Sequence, residues 1–308
     1  MTMINTLRSK INEFFVGKEA VVEDILVCLL AGGHVLLEDV PGVGKTMLAR
    51  TLAKSMDCSF GRIQFTPDTL PGDVVGLSVY NMKTGNFEYR EGAVMHQIIL
   101  ADEINRTSPK TQASLLEAMA EQQVTVDGVN YRLPCPFMVI ATQNPVEFLG
   151  TYPLPEAQMD RFMMRLSIGY PESTDEIKMA RNYLDGKTVE TVTSVCSAQD
   201  ILDMQEEVRK IYVSDALIGY VQNIVDVTRK EQRFVMGASP RAILLMIRAA
   251  QAKAYLLGRN FVKPDDVKAI AVNTLHHRLT LTPEAKIHKE NLDGILKSLL
   301  LQVKVPVE

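Results

Sequence analysis

The stretch from His34 to Ala49, which reads HVLLEDVPGVGKTMLA, constrains this chain more than any other. A short apolar run from Val35 to Leu37 predicts a buried strand, and a turn rich in proline and glycine follows it. The turn opens into a helical pattern that carries Leu48 and Leu52. A strand, a glycine-rich turn and a helix in this order are typical of a loop that binds phosphate.

The residues of this turn suit a triphosphate, which carries a dense negative charge. Gly42 and Gly44 allow backbone N–H groups to turn inward where a Cβ atom would clash, and the following helix points its positive end at the phosphates. Lys45 is placed to reach the β- and γ-phosphates, and the Thr46 hydroxyl to ligate Mg²⁺. The strict pattern has glycine where this chain has Asp39, a residue type that tolerates turns. The alternative is a glycine-rich turn that ends in a surface lysine.

The composition is ordinary for a globular protein. Of its 308 residues, 46% are hydrophobic and 23% are charged, and the chain is long enough to form two domains. The net charge of −4 argues against a dominant nucleic-acid footprint, so no nucleic-acid partner is expected. No apolar run reaches the length of a membrane span, and residues 1–5 lack the features of a secretory signal. We therefore expect a cytoplasmic protein without membrane insertion.

Two helical patterns precede the phosphate loop. Apolar residues at helical spacing occur from Met3 to Phe15 and again from Val21 to Leu29. Val16 and Gly17 break the pattern between them. Because the second helix leads directly into the strand of the phosphate loop, its start can lie beside a nucleotide base. A plain linker turn explains the same spacing equally well.

Polar residues follow two further strand patterns. The apolar run from Ile98 to Ala101 predicts a strand buried on both faces, and Asp102 and Glu103 come at its end. Another apolar strand leads to Asn144. In a parallel sheet these ends share one edge with the phosphate loop. Asp102 is then placed to hold Mg²⁺ through water, and Glu103 to orient or deprotonate the attacking water. The acidic pair alone also fits a solvated turn, but a phosphate loop in the same chain favours catalysis.

Two hairpins interrupt the alternation of strands and helices. The first pairs residues 77–80 with 86–90, and the second pairs 123–126 with 130–133 across an Asp127-Gly128 turn. Long insertions of this kind are often functional loops.

Helical patterns replace strand patterns from Pro171 onward. A last strand is expected near residues 166–168, and helix start signals follow at Ser239-Pro240 and Lys263-Pro264. The change predicts an α/β nucleotide-binding core over residues 1–170 and an all-helical domain over residues 171–308.

Six short sequence motifs follow one another along the chain. They are Glu38–Thr46 (EDVPGVGKT), Arg62–Asp68 (RIQFTPD), Ala101–Arg106 (ADEINR), Ala141–Pro145 (ATQNP), Leu154–Phe162 (LPEAQMDRF) and Gly237–Arg241 (GASPR). Together they resemble the AAA+ ATPases and, within them, the MoxR family, in which the Asp39 departure is common. The resemblance covers nearly the whole chain. It implies an AAA+ P-loop parallel β-sheet sandwiched by helices, followed by an all-helical lid domain.

The resemblance also implies roles for individual residues. Lys45 and Thr46 would form the Walker A pair, Asp102 and Glu103 the Walker B pair, and Asn144 the sensor 1 residue. The nucleotide-binding positions would be Val16, Gly17, Pro41, Gly42, Val43, Gly44, Lys45, Thr46, Met47 and Arg241, and the magnesium ligands Thr46 and Asp102.

Three arginines carry the roles that involve the lid and a neighbouring subunit. By resemblance, Arg241 is the sensor 2 arginine and reaches from the lid to the γ-phosphate. Arg161 is the expected arginine finger, acting on the nucleotide of a neighbouring subunit, and Arg165 is its competitor. A surface ion pair is the alternative for either of these two. Both hairpins would project toward the axis of a ring.

The resemblance therefore implies a Mg²⁺-dependent ATPase that forms a homo-oligomeric, hexameric ring and remodels client proteins in the manner of a chaperone. A von Willebrand factor A-domain protein is a frequent partner in this family. Because charge on the transferring phosphoryl group is typically completed by an arginine supplied in trans, hydrolysis should depend on assembly. The alternatives are a chelatase-like subunit or nucleic-acid-remodelling motor, a small-molecule kinase, and a nucleotide-gated scaffold that does not hydrolyse.

Overall fold

The structure is a computed structural model that describes residues 2–144 and 150–306. Pro145, which ends one of the six motifs, lies outside the described residues. The contacts divide the chain into two compact units: Met1–Glu23, His34–Arg161 and Leu166–Leu202 in the first, and Asp24–Gly33, Phe162–Arg165 and Asp203–Glu308 in the second. The domain boundary expected after residue 170 stays a prediction.

Strands and helices alternate along the first part of the chain. In order, the elements are α1 (Met3–Phe14), α2 (Glu19–Leu30), β1 (Val35–Glu38), α3 (Lys45–Ser55), β2 (Phe60–Gln64), α4 (Pro71–Val75), β3 (Gly76–Asn81), β4 (Asn86–Glu91), β5 (Ile98–Asp102), a 3₁₀ turn (Ile104–Arg106), α5 (Pro109–Glu121), β6 (Gln123–Val126), β7 (Val129–Arg132), β8 (Met138–Gln143), α6 (Glu156–Met159) and β9 (Met164–Leu166).

Helices dominate the rest of the chain. In order, the elements are α7 (Ser173–Leu184), a 3₁₀ turn (Val189–Thr191), α8 (Ala198–Arg209), α9 (Asp215–Lys230), β10 (Phe234–Met236), α10 (Pro240–Leu256), α11 (Pro264–Leu275), a 3₁₀ turn (His276–Arg278), β11 (Thr280–Leu281), α12 (Pro283–Ile287) and α13 (Leu292–Gln302). The helices α10 and α11 begin at the prolines that the sequence predicts. The short pair β10 and β11 was not predicted.

A five-stranded sheet of order β2-β5-β8-β1-β9 forms the centre of the α/β part. The pairs β2 with β5, β5 with β8 and β8 with β1 are parallel, and residues 98–101 are fully buried. Since helices flank the sheet, its strands read as continuous apolar runs. The register pairs Leu37 with Thr142 and Gln64 with Asp102, so the ends of four strands meet at one edge. The predicted helix-flanked parallel sheet is confirmed.

Both predicted hairpins are present. The strands β3 and β4 are antiparallel, and so are β6 and β7. Asp127 and Gly128 both have positive φ, which matches the twist of a two-residue hairpin turn. The rings of Tyr89 on β4 and Tyr131 on β7 stack with centroids 3.9 Å apart and planes 19° apart. The Tyr89 hydroxyl also donates to the Val75 carbonyl at 2.6 Å.

The helical unit has its own apolar core. Helices α9, α10 and α11 supply its buried side chains, among them Tyr220, Val221, Ile224, Met246, Ala249, Ala250, Val267 and Ile270. Many of these residues on α10 are alanines, and small side chains allow neighbouring helices to approach closely.

Candidate nucleotide-binding site

The loop between β1 and α3 has the backbone of an anion-binding turn. Gly42 and Gly44 have φ of 87° and 88°, values that L side chains rarely adopt. A Cβ at Gly44 would also lie 3.1 Å from the ring of Phe15, so both conformation and space favour glycine there. Since α3 begins directly after Gly44, no cap side chain occupies its first N–H groups. These groups are available to an anion.

Asp39 occupies the position of the first motif glycine without backbone strain. Asp39 is not among the residues with positive φ, so the chain needs no glycine there. Sequence reasoning attributed the tolerance to the turn propensity of aspartate, whereas the structure shows that this position does not require a positive φ. The Asp39 carbonyl accepts a hydrogen bond from Nζ of Lys45 at 2.8 Å.

A cavity of about 410 Å³ opens at the carboxyl edge of the sheet. Its walls bring together five of the polar residues that the sequence predicts to act on phosphate, namely Lys45, Thr46, Asp102, Glu103 and Asn144. The other lining residues are Pro41, Gly42, Gly44, Arg62 and Gln64. The sequence-based requirement that a glycine-rich loop, two acids and an amide converge is therefore met, while the role of each residue stays a prediction.

The hydroxyl of Thr142 organises the two acidic residues. Thr142, fully buried on β8, donates from Oγ1 to Oδ1 of Asp102 at 2.7 Å. The same oxygen accepts from the backbone N–H of Glu103 at 2.9 Å. Glu103 has φ 57° and ψ 49°, a left-handed conformation that costs a non-glycine residue about 1 to 3 kcal/mol. The surrounding contacts hold Glu103 in this strained conformation, which is a common property of functional residues.

Cationic and amide side chains face the two carboxylates. Arg62 Nη2 lies 2.7 Å from Asp102 Oδ2, and Arg106 Nη1 lies 2.9 Å from Glu103 Oε2. Gln64 Nε2 donates to Glu103 Oε2 at 3.3 Å. Arg62 and Gln64 are two residues apart on β2 and therefore share a face of the strand.

Burial lowers the pKa of the Lys45 ammonium, and the nearby carboxylates of Asp39, Asp102 and Glu103 act in the opposite direction. Desolvation disfavours the charged form of a lysine, whereas a negative partner favours it. A bound polyphosphate would add further negative charge beside Lys45 and favour its protonated form.

The donor set fits a magnesium ion that binds together with phosphate. Thr46 and Asp102 present oxygen ligands to the same cavity, and Mg²⁺ prefers oxygen. Over residues 2–144 and 150–306, no group of three or more His, Cys, Asp or Glu side chains could hold a metal. Mg²⁺ commonly binds through one or two carboxylates, with phosphates and waters as its remaining ligands. Thr46 and Asp102 are therefore the residues that would hold it.

A second cavity, of about 330 Å³, also borders the phosphate loop. It shares Gly42 and Gly44 with the first cavity. Its remaining lining residues are Phe14, Phe15, Val16, Lys18, Val43, Met47, Ile168, Gly169, Tyr170, Pro171, Glu176 and Met179. The polar cavity is called the phosphate-side cavity below, and this mostly apolar one the base-side cavity.

Several residues expected to bind nucleotide line the base-side cavity. Val16, Val43 and Met47 do so, but the expected Gly17 is not part of the lining. Lys18, which was not among the expected residues, also lines this cavity. Gly17 has φ 79°, and a Cβ there would lie 2.3 Å from Oδ2 of Asp175. The turn itself therefore requires glycine at this position, and a contact of Gly17 with the base stays a prediction.

Sequence reasoning missed residues on both sides of the loop. Arg62, Gln64 and Thr142 lie in segments that carry the family resemblance, but no role was assigned to them. The base-side wall formed by Ile168 and Tyr170 had no motif to indicate it. Arg62 and Gln64 lie on a strand that pairs with the acidic strand, and only the structure shows that pairing.

The structure places the three predicted arginines in different environments. Arg161 is half-buried, and its Nη1 donates to the backbone carbonyl of Leu116 on α5. Arg165 lies on β9 in the segment assigned to the second unit. Arg241 is exposed on the first turn of α10, also in the second unit. None of the three lines the phosphate-side or the base-side cavity.

The fold and these cavities define an ATPase domain of the AAA class with its lid. The sequence profile of the ATPase family associated with various cellular activities (AAA) matches residues 34–164, and the AAA lid domain profile matches residues 227–298. Within the described part of the chain, no helix combines the length and apolar character that crossing a membrane requires.

Similar proteins narrow the class to a family. The chain is 50% identical to the uncharacterized protein YeaC of Bacillus subtilis, over 97% of this chain and 93% of that protein. It is 40% identical to Chaperone MoxR1 of Mycobacterium tuberculosis, over 96% of this chain and 81% of that protein. A crystal structure described as a candidate ATPase from Cytophaga hutchinsonii superposes with a TM-score of 0.92 at 39% identity, covering 99% of this chain and 95% of that one. The chain belongs to the MoxR family of AAA+ ATPases.

Proposed function

We propose that this protein binds ATP with Mg²⁺ and hydrolyses it. The observation that carries the proposal is the phosphate-side cavity, where a lysine, a hydroxyl, two carboxylates and an amide line one space of about 410 Å³. Phosphoryl transfer asks a protein mainly to position the reactants and to stabilise charge. The groups around this cavity are of the types that those two tasks require.

Each residue has a distinct task in the proposed reaction. Lys45 and the N–H groups of the loop hold the phosphates. Thr46 and Asp102 would hold Mg²⁺, which would supply positive charge beside the bound phosphates. Glu103 orients the attacking water and accepts its proton, and Asn144 positions the water or the terminal phosphate. Because Glu103 contacts Arg106 and Gln64, it exchanges at least part of these contacts for the water.

Assembly into a ring is the second part of the proposal. We infer a homo-oligomer, hexameric as in the family resemblance, in which Arg161 of one subunit acts on the nucleotide of its neighbour. Arg165 is the competing candidate, and Arg241 acts from the lid. The contact of Arg161 with the Leu116 carbonyl leaves other N–H groups of the guanidinium for such a role. The name of the chaperone relative supports a protein client, for which a von Willebrand factor A-domain partner is our specific proposal.

The test is the ATPase rate per chain as a function of protein concentration. We expect the rate to rise steeply as the chains assemble. Glu103→Gln should lower it by about 10² to 10⁴ while ATP still binds, because the general base is lost. Arg161→Ala should lower it comparably, and the exposed Arg209→Ala, on α8, serves as the matched control.

Mixing two inactive variants distinguishes a residue that acts in trans. Glu103→Gln chains carry an intact Arg161, and Arg161→Ala chains carry an intact Glu103. A mixture should therefore regain phosphate release at mixed interfaces. If Arg165→Ala, and not Arg161→Ala, behaves in this way, the finger is Arg165. Equal activity in dilute monomer would contradict the assembly part of the proposal.

A further inference from the structure

Asp39 has a side chain that the phosphate-binding motif does not use. The strict motif has glycine at this position, where there is no side chain at all. In this chain the Asp39 backbone does not need glycine, and the residue is 5% exposed. Burying a carboxylate is costly unless it is well hydrogen-bonded. The contacts of this carboxylate therefore indicate what it does.

Three successive residues donate to the Asp39 carboxylate. Oδ1 accepts from the Ser167 hydroxyl at 2.8 Å and from the Gly169 backbone N–H at 3.0 Å. Oδ2 accepts from the Ile168 backbone N–H at 2.6 Å. Hydrogen bonds from backbone N–H groups to a carboxylate are charge-assisted and stronger than those between neutral groups. One side chain thus fixes the backbone of residues 167–169.

The segment that Asp39 fixes is one wall of the base-side cavity. Ile168 and Gly169 line that cavity together with residues of the loop and of α3 such as Val43 and Met47. At the same time, the Asp39 carbonyl holds the ammonium of Lys45, which lines the phosphate-side cavity. Asp39 therefore contacts structural elements of both cavities, through its main chain on one side and its side chain on the other.

We propose that Asp39 is a positioning residue that fastens the wall formed by residues 167–169 to the phosphate loop and thereby shapes the pocket for the nucleotide base. The inference rests on the proposed function, since it requires that a nucleotide occupies both cavities. It assigns to Asp39 a contribution to base binding and base selection, whereas the glycine that the strict motif has at this position has no side chain to make one.

The test compares ligands with and without a base. The probes are MgATP, MgGTP and magnesium tripolyphosphate, and calorimetry gives the dissociation constant of each. Asp39→Gly restores the strict motif, and Ser167→Ala removes a single donor. The matched control is Asp200→Asn, since Asp200 also accepts from a serine hydroxyl and a backbone N–H, at 2.7 and 2.8 Å, but lies on the surface at the start of α8.

We expect Asp39→Gly to weaken ATP binding about tenfold or more, since three hydrogen bonds are lost together. Tripolyphosphate binding should weaken by no more than about twofold, because the variant keeps the backbone carbonyl that contacts Lys45. The ratio of ATP to GTP affinity should move toward one. Ser167→Ala should weaken ATP binding about threefold, in the same direction. Asp200→Asn should change none of these values.

Two results would overturn the inference. An equal loss of tripolyphosphate and ATP affinity would mean that Asp39 shapes the phosphate loop itself, and unchanged ATP affinity in both variants would mean that the wall does not depend on it. If Asp39→Gly fails to fold, as a thermal unfolding curve would show, Ser167→Ala decides the question. If the wild-type protein binds none of the three ligands, the proposed function is contradicted and the inference with it. The two results above, by contrast, contradict the inference alone.

Discussion

The phosphate-side and base-side cavities share the glycines of one loop but are built in different ways. On the phosphate side, charged and polar side chains at the ends of neighbouring strands face one space, and hydrogen bonds such as those of the buried Thr142 fix their positions. On the base side, most of the lining is apolar, and it comes from segments as distant in sequence as Phe14 and Met179. Phosphate chemistry requires particular groups at particular positions, whereas an apolar wall requires only volume and shape.

Among changes that affect one cavity and not the other, the largest effect is expected on the phosphate side, from Thr142→Val. This substitution keeps the shape of the side chain and removes its hydroxyl. The change deprives Asp102 of a donor and the Glu103 N–H of its acceptor. We expect the ATPase rate to fall about 10- to 100-fold, as for other residues that orient a reacting group. Binding of ATP should change only a few-fold, and the free energy of unfolding should drop by about 1 to 3 kcal/mol.

Steady-state phosphate release and a thermal unfolding curve measure both parts of this prediction. Thr142→Ser is the control, because it keeps the hydroxyl. A Thr142→Val protein with the wild-type rate would show that the two acidic residues do not depend on this hydroxyl.

The second prediction concerns the pH dependence of phosphate binding. Burial lowers the pKa of Lys45, and the charged form binds phosphate, so free protein loses affinity as pH rises through that lowered pKa. The dissociation constant of tripolyphosphate should then increase up to about tenfold per pH unit, beginning below the pKa of about 10.4 of an ordinary lysine.

Calorimetry between about pH 7 and pH 10 measures this effect, with Lys45→Arg as the reference, because a guanidinium stays protonated over this range. The ratio of the two dissociation constants at each pH cancels the ionisation of the ligand. A ratio that is constant up to the pH at which an ordinary lysine titrates would contradict the prediction.

The smallest effect is expected on the base side, from Met47→Gln. Met47 lines the base-side cavity, and an amide placed there is less favourable against a buried base than a thioether is. We expect ATP affinity to fall about threefold, with unchanged affinity for tripolyphosphate. Met47→Leu should stay within about twofold, because volume and polarity are nearly conserved. Equal losses for ATP and tripolyphosphate in Met47→Gln would show that the two cavities are not separable.

Much of the fold was predictable because its signals are local. A buried parallel strand must be apolar on both faces, and a two-residue hairpin turn must accommodate positive φ, so residues 98–101 and Asp127-Gly128 are recognisable in the sequence. The β10 and β11 pair was not predicted, because strands of three and two residues are too short to show a period. The last strand of the sheet ends at Leu166, two residues before the predicted end.

The two cavities also differ in how far their residues could be predicted from the sequence. Lys45, Thr46, Asp102 and Glu103 could be predicted because chemistry restricts their type and spacing. Arg62 and Gln64 could not, since an exposed arginine or glutamine on a strand has no distinguishing pattern until the neighbouring strand is known. Tyr170 and Met179 become neighbours only through the tertiary fold. The carboxylate of Asp39 was visible as a departure from a motif, but its partners at residues 167–169 were not.

The stacked rings of Tyr89 and Tyr131 mechanically couple the two hairpins. A force that displaces β4 must either separate the rings or carry β7 along with it. The Tyr89 hydroxyl also donates a hydrogen bond to the Val75 carbonyl at the end of α4. The same displacement would therefore strain the point at which the first hairpin begins. The two hairpins, which are separate two-stranded sheets, are thus joined by a side-chain contact and not by backbone pairing.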